Sequence, residues 1–131
     1  MIPTVWQIII VGCGGALGAV LRLCANQLTV HYLGDRFPWG TLLVNLVGCF
    51  FLGFLLRLGS PYVSENLRLA VGVGLLGGLT TFSSFGTEIW FRLNAEQWLL
   101  AIATLVANLA GGLILVGLGA GLAAIWVGAK T

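Results

Sequence analysis

Apolar residues run along this chain in four long blocks, at about 5–30, 39–58, 66–92 and 97–127, with polar residues gathered between them. Each block is about as long as the ~20 residues an α-helix needs to cross a bilayer. None alternates apolar with polar positions as the strands of a membrane barrel would. The pattern predicts an all-α membrane protein of four transmembrane helices forming one domain, 1–131. Gly34-Asp35-Arg36-Phe37-Pro38 closes the first block. Gly59-Ser60-Pro61 closes the second, because Pro61 has no amide hydrogen with which to continue a helix. Asn94-Ala95-Glu96-Gln97 has the spacing of a capping box and is expected to open the fourth. The first block lacks a basic lead, and its apolar run 5–21 is too long for a signal-peptide core. It is therefore read as a retained span.

Composition strengthens this reading. Hydrophobic residues make up 59% of the chain, charged residues 8%, and mean hydropathy is +1.05. An ordinary soluble domain has about 25% charged residues, so a soluble fold and a disordered chain are both excluded. The net charge of +2 comes from scattered single bases, which offers no basic patch for nucleic acid. Cys13, Cys24 and Cys49 are odd in number, lie in apolar runs and form no metal-ligand spacing. His31 is the single histidine, so neither a metal cluster nor a hydrolytic triad is in prospect and no enzyme activity is expected.

The third block breaks the pattern. Its middle reads Gly77-Gly78-Leu79-Thr80-Thr81-Phe82-Ser83-Ser84-Phe85-Gly86-Thr87. Glycine and β-branched threonine weaken a helix, so a break near the centre of this span is expected. The alternative is a continuous helix whose hydroxyls bond back to their own carbonyls. Irregular backbone at membrane depth must be buried in protein or line a wet cavity, and interrupted helices there commonly build ion sites. The pairs Gly14/Gly18, Gly74/Gly78 and Gly117/Gly121 have the spacing that lets helices pack closely.

The charges are evenly split. With four spans, Arg57, Arg68 and Lys130 fall at one face, and Arg36, Arg92 and, toward that end of its span, Arg22 at the other. A three-against-three count gives the positive-inside rule no preference. A chain that inserts both ways can form an antiparallel, dual-topology homodimer.

Polar side chains inside the spans form stripes: Thr41 and Asn45 on the second, Thr104 and Asn108 on the fourth, each pair four apart. They serve equally as interhelical glue or as a pathway lining. No acid lies near the centre of a span; Glu88 sits toward an interface, and Asp35, Glu65 and Glu96 lie in loops. A proton-coupled transporter would place an ionisable group in its path. A path of hydroxyls, amides and aromatic ring edges instead suits a small anion, because ring edges carry the positive part of the quadrupole.

Three segments, 14–22, 39–48 and 77–85, resemble in order and spacing the Fluc (CrcB) fluoride channels, with Thr80-Thr81-Phe82-Ser83-Ser84-Phe85 the most specific element. The resemblance implies a fluoride-selective channel that passively exports fluoride, which enters cells as HF and dissociates in the cytoplasm. It implies an antiparallel homodimer with two pores in the plasma (inner) membrane, crossing it several times. It assigns Asn45, Phe82 and Phe85 to the fluoride pathway and Arg22 to its vestibule. Thr41, Thr81, Ser83, Ser84 and Asn108 are its further polar lining. It also implies a structural sodium ion at the dimer centre, held by backbone carbonyls of Gly77 and Thr80.

The chain departs from the family at several positions. Leu23 and Thr104 stand where tyrosine is common, Ser84 where threonine is usual, and Gly86 and Asn108 where serine is. The fourth block matches more loosely. Two other functions fit four spans: a small dual-topology multidrug-type transporter, and a non-transporting membrane assembly subunit. The first needs an acid in the first span, and that span has none.

Overall fold

Capping chemistry sets both ends of the first span. The computed structural model describes residues 2–59 and 62–129; Ser60, Pro61 and Lys130, used in the sequence argument, lie outside them. Helix α1 (Val5–Leu33) opens on a reciprocal box. The Thr4 hydroxyl accepts from the Gln7 amide at 3.2 Å, and the Gln7 side chain accepts from the Thr4 amide at 2.9 Å. It closes at Gly34, whose φ of 77° lies in the left-handed region that glycine adopts freely. Helix α2 is Trp39–Leu58 and is followed by Gly59, φ 72°.

The third span is composite. Helix α3 covers 65–79: an α turn at Glu65–Leu67, a π-helical stretch at Arg68–Leu76 and a final α turn at Gly77–Leu79. Thr80 (φ −78°, ψ 156°) and Thr81 (φ −151°, ψ 121°) are extended. Helix α4, Phe82–Asn94, then resumes the span. The expected break is therefore present and falls at Thr80-Thr81. Hydroxyl back-bonding occurs beside it, from Thr80 to the Leu76 carbonyl (2.9 Å) and from Thr87 to that of Ser83 (2.8 Å). The continuous-helix alternative is therefore overturned, although back-bonded hydroxyls do flank the break.

Helix α5 is Trp98–Gly128. The capping box expected at 94–97 does not form. Asn94 is the last residue of α4, and the amides of Glu96 and Gln97 turn back to the carbonyls of Leu93 (3.1 Å) and Arg92 (2.8 Å). Glu96 takes a positive φ of 58° in doing so. Satisfying the last carbonyls of α4 claims the backbone the box would have used.

The four spans, α1, α2, α3–α4 and α5, are each long and apolar enough to cross a membrane. Their outer surfaces are leucine, isoleucine, valine and aromatic side chains, as lipid contact requires. Trp6, Tyr62 and Trp126 lie at one end of the bundle and Tyr32, Trp39 and Trp98 at the other, the positions of interfacial aromatic belts.

Helix α2 packs most extensively on α5, and α1 on α3. Glycine makes both approaches possible. A Cβ on Gly18 would collide with the Leu75 carbonyl oxygen, and one on Gly78 with that of Gly15. The Gly14/Gly18 and Gly74/Gly78 pairs therefore face each other across one interface. Between α2 and α5, Gly53 and Gly119 do the same against the carbonyls of Val116 and Phe50. Gly117 and Gly121 differ from expectation: a Cβ on either meets nothing within 4 Å, so this pair packs no helix within the chain.

Candidate functional site

Interrupting a helix frees backbone groups, and at the Thr80-Thr81 break those groups can be followed individually. In a continuous helix the Thr81 amide would bond the Gly77 carbonyl and the Ser84 amide that of Thr80. Here the Thr81 amide donates to Asn45 Oδ1 at 2.8 Å, and the Ser84 amide to the Thr81 hydroxyl at 3.2 Å. The carbonyls of Gly77 and Thr80 lose those helical donors. The Gly78 carbonyl instead accepts from Arg22 Nε at 3.2 Å.

Side chains from the other three spans hold the break in place. Arg22 on α1 is half-buried and lies one turn beyond Gly18, on the glycine face that meets α3. Asn45 on α2 also donates through Nδ2 to the Thr81 carbonyl, at 3.2 Å. Its second Nδ2 contact is Asn108 Oδ1 on α5, at 2.9 Å, and Asn108 Nδ2 donates in turn to the Thr104 carbonyl, at 3.0 Å. Asn108 and Thr104 are buried, and the Thr104 hydroxyl is satisfied by the Leu100 carbonyl at 2.8 Å.

A cavity of about 300 Å³ opens at the break. Asn45, Phe82, Phe85, Thr81 and Asn108 line it, with Gly77 and Thr80. Seven of the residues singled out from sequence are thus together, and no carboxylate is among the lining side chains. The Phe82 and Phe85 rings lie 5.6 Å apart, tilted by 58°. They differ in setting: Phe85 is 5% exposed and Phe82 79%. Ser83 is exposed and Ser84 half-buried, and both hydroxyls stand 3.2 Å from that of Thr81 without lining the cavity.

Thr41 and Arg22 lie elsewhere. Thr41 is buried one turn from Asn45, and its hydroxyl donates to the carboxylate of Glu88. Those two residues border a separate cavity of about 300 Å³ with Asn26 and Arg92. There Asn26 Oδ1, Glu88 Oε2 and Arg92 Nε are buried without a hydrogen-bond partner among the described residues. Arg92 also donates to the Arg36 carbonyl at 3.1 Å, which puts these two bases at the same end of the bundle. Arg22 points into the α1–α3 interface, so it does not belong to that end. With Arg22 set aside, the sequence count becomes Arg57, Arg68 and Lys130 against Arg36 and Arg92, so the even three-against-three split is lost.

Sequence reasoning missed the contacts of Arg22 with Gly78 and of Thr41 with Glu88. The first was signalled by the four-residue spacing of Gly14, Gly18 and Arg22; the second joins residues 47 apart and had no local signal.

Gly77 and Thr80 suit a small cation as uncharged oxygen donors, since both carbonyls are released and Gly77 is exposed at the cavity. No group of three His, Cys, Asp or Glu capable of holding a metal occurs among the described residues.

A family model described as CrcB-like protein, Camphor Resistance (CrcB), matches residues 9–120. A Shewanella putrefaciens protein named fluoride-specific ion channel FluC is 42% identical over 114 residues, covering 86% of this chain and 92% of its own length. A protein of the same name from Dehalococcoides mccartyi is 44% identical over 116 residues, 87% of this chain and 89% of its own. One from Shewanella baltica is 40% identical over 114 residues, 86% and 92% of the respective lengths. With most of its length matched, and with its interrupted third span carrying the residues that define the resemblance, this chain belongs to the CrcB-like family.

Proposed function

We propose that this protein is a fluoride-selective channel that lets fluoride leave the cytoplasm down its gradient. The observation that carries the reading is the cavity at the helix break, where Phe82 and Phe85 meet polar groups and no carboxylate intervenes. An anion there meets aromatic rings, whose edges are electropositive. Arg22, close by at Gly78, adds positive charge. The names of the relatives agree with this chemistry.

The working unit is an antiparallel homodimer. Gly77, Ser83 and Phe82 leave polar backbone and hydroxyls exposed at mid-span, which lipid does not tolerate. A second copy is the natural cover, and the bases, three against two once Arg22 is set aside, give only a slight bias toward one orientation. Opposed orientations would bring two sets of freed Gly77 and Thr80 carbonyls to a common axis, where a sodium ion would satisfy them. That ion supplies charge to the interface and is structural. Localisation in the plasma (inner) membrane follows from the role, since only there does export lower the cytoplasmic concentration.

Purified protein in liposomes loaded with fluoride tests the function. Rapid fluoride release is expected, with little chloride release and no dependence on a proton gradient. Absence of fluoride efflux would end the channel reading. A reporter fused to the C-terminus tests the topology, and activity confined to one face of the membrane would refute dual insertion.

A further inference from the structure

We propose that Asn108 is a positioning residue that, together with the Thr81 backbone, holds the Asn45 carboxamide in one orientation and keeps its second Nδ2 hydrogen at the cavity wall. An asparagine side chain presents an oxygen on one side and an NH2 on the other, and exchanging them reverses the polarity of every contact. Two backbone groups at the ends of this network admit only one arrangement. The Thr104 carbonyl can only accept, so Asn108 must turn Nδ2 toward it, at 3.0 Å. That leaves Asn108 Oδ1 facing Asn45, which must answer with its own Nδ2, at 2.9 Å. The Thr81 amide can only donate, so Asn45 must offer it Oδ1, at 2.8 Å. The orientation fixed from α5 and the one fixed at the break agree, and the Asn45–Asn108 contact locks them together.

The relay has a consequence for the channel. Both Nδ2 hydrogens of Asn45 are engaged, one by the Thr81 carbonyl and one by Asn108. In this arrangement Asn45 is wholly occupied in shaping the break. An anion that draws on this amide must borrow the hydrogen held by Asn108 Oδ1, since releasing the Thr81 carbonyl would open the clamp. Asn108 is buried and aimed at Asn45, so it acts by presenting that hydrogen at the cavity wall. This part of the argument rests on the channel function proposed above.

The test uses the full-length protein with 15N-labelled asparagine side chains, in lipid. The Asn45 side-chain hydrogens are expected to exchange slowly with solvent. Asn108→Leu removes the acceptor and should speed exchange of one of them about tenfold, the fold-change equivalent of one modest hydrogen bond. Asn108→Ser can donate to the carbonyl four residues back and accept from Asn45, so it should retain the slow exchange and most of the fluoride flux. A protein that merely needs bulk at 108 would instead be restored by leucine. If Asn108→Leu fails to fold, Asn108→Ala replaces it. Unchanged Asn45 exchange in the apolar variant would overturn the relay. A folded apolar variant with full flux would overturn its functional part. Absence of flux in the unsubstituted protein would strike the channel reading alone, leaving the amide signal to judge the relay.

Discussion

Asn45 makes a two-point clamp on Thr81, accepting from its amide at 2.8 Å and donating to its carbonyl at 3.2 Å. A carboxamide used in this way replaces the helical hydrogen bonds that an extended residue forfeits. Asn45→Asp keeps the acceptor and the size but loses both donors, and it adds negative charge where an anion must pass. Leaving the Thr81 carbonyl and Asn108 Oδ1 without a donor should cost about 1–3 kcal/mol for each buried group. A lowered melting temperature in detergent is expected, together with loss of fluoride flux in liposomes. Wild-type flux in this variant would show that neither the clamp nor the neutrality of the path matters.

Phe82 and Phe85 lie side by side, yet one is 79% exposed and the other 5%. Substitution should separate stability from function. Phe82→Ile removes an aromatic edge from a mostly exposed site, so the chain should fold normally and lose flux. Phe85→Ile changes shape inside a packed site and should lower stability by about 1–3 kcal/mol as well as flux. Melting temperature and fluoride efflux, measured on the same preparations, decide this. Undiminished flux in Phe82→Ile would refute a role for its ring.

Much of the molecule was legible because membrane insertion imposes simple demands. The four spans follow from hydropathy, and the break follows from the clustering of glycine and hydroxyl residues at 77–87. The end of α4 was misread, because 94–97 carries the side chains of a capping box while the backbone there satisfies the preceding helix. Arg22 was misplaced toward a face for a related reason. Charge alone suggests an interface, whereas its position on the Gly14/Gly18 face turns it toward the break. Seven residues picked out from sequence line one cavity, but the separation of Thr41 into a second cavity was not foreseen. That division depends on which hydroxyl meets which partner across helices, and sequence spacing within one helix carries no such information.

The glycine pairs can be told apart by a single methyl group. A Cβ at Gly78 would strike the Gly15 carbonyl oxygen and backbone, and neither can move without shifting a helix. Gly78→Ala should therefore destabilise by about 1–3 kcal/mol or more through overpacking. It should also displace the carbonyl that Arg22 binds. Gly117→Ala meets open space and removes a flexible residue from a helix, so its effect on the isolated chain should be neutral or slightly stabilising. Thermal unfolding of both variants distinguishes them. Equal melting temperatures would mean that the α1–α3 contact is not as close as described. A selective loss of dimer in Gly117→Ala would place that face in the contact between copies.

Sodium should act on the protein even when no fluoride moves. The Gly77 and Thr80 carbonyls are deprived of their helical donors, and a cation at the junction of two copies would supply the missing charge. A ligand that binds only the assembled state raises its stability with concentration, by about 2.7 kcal/mol at one hundred times its dissociation constant. Melting temperature in detergent should therefore rise with sodium and fall when a bulky organic cation replaces it at equal ionic strength. Gly77→Ala provides the control. Its Cβ comes only to 3.8 Å of the Gly72 carbonyl, so the single chain tolerates it, while it adds bulk on the exposed residue whose carbonyl is assigned to the cation. The variant should fold, and its melting temperature should lose its dependence on sodium. If the unsubstituted protein melts at the same temperature with and without sodium, the carbonyls are satisfied in some other way and the sodium site is wrong.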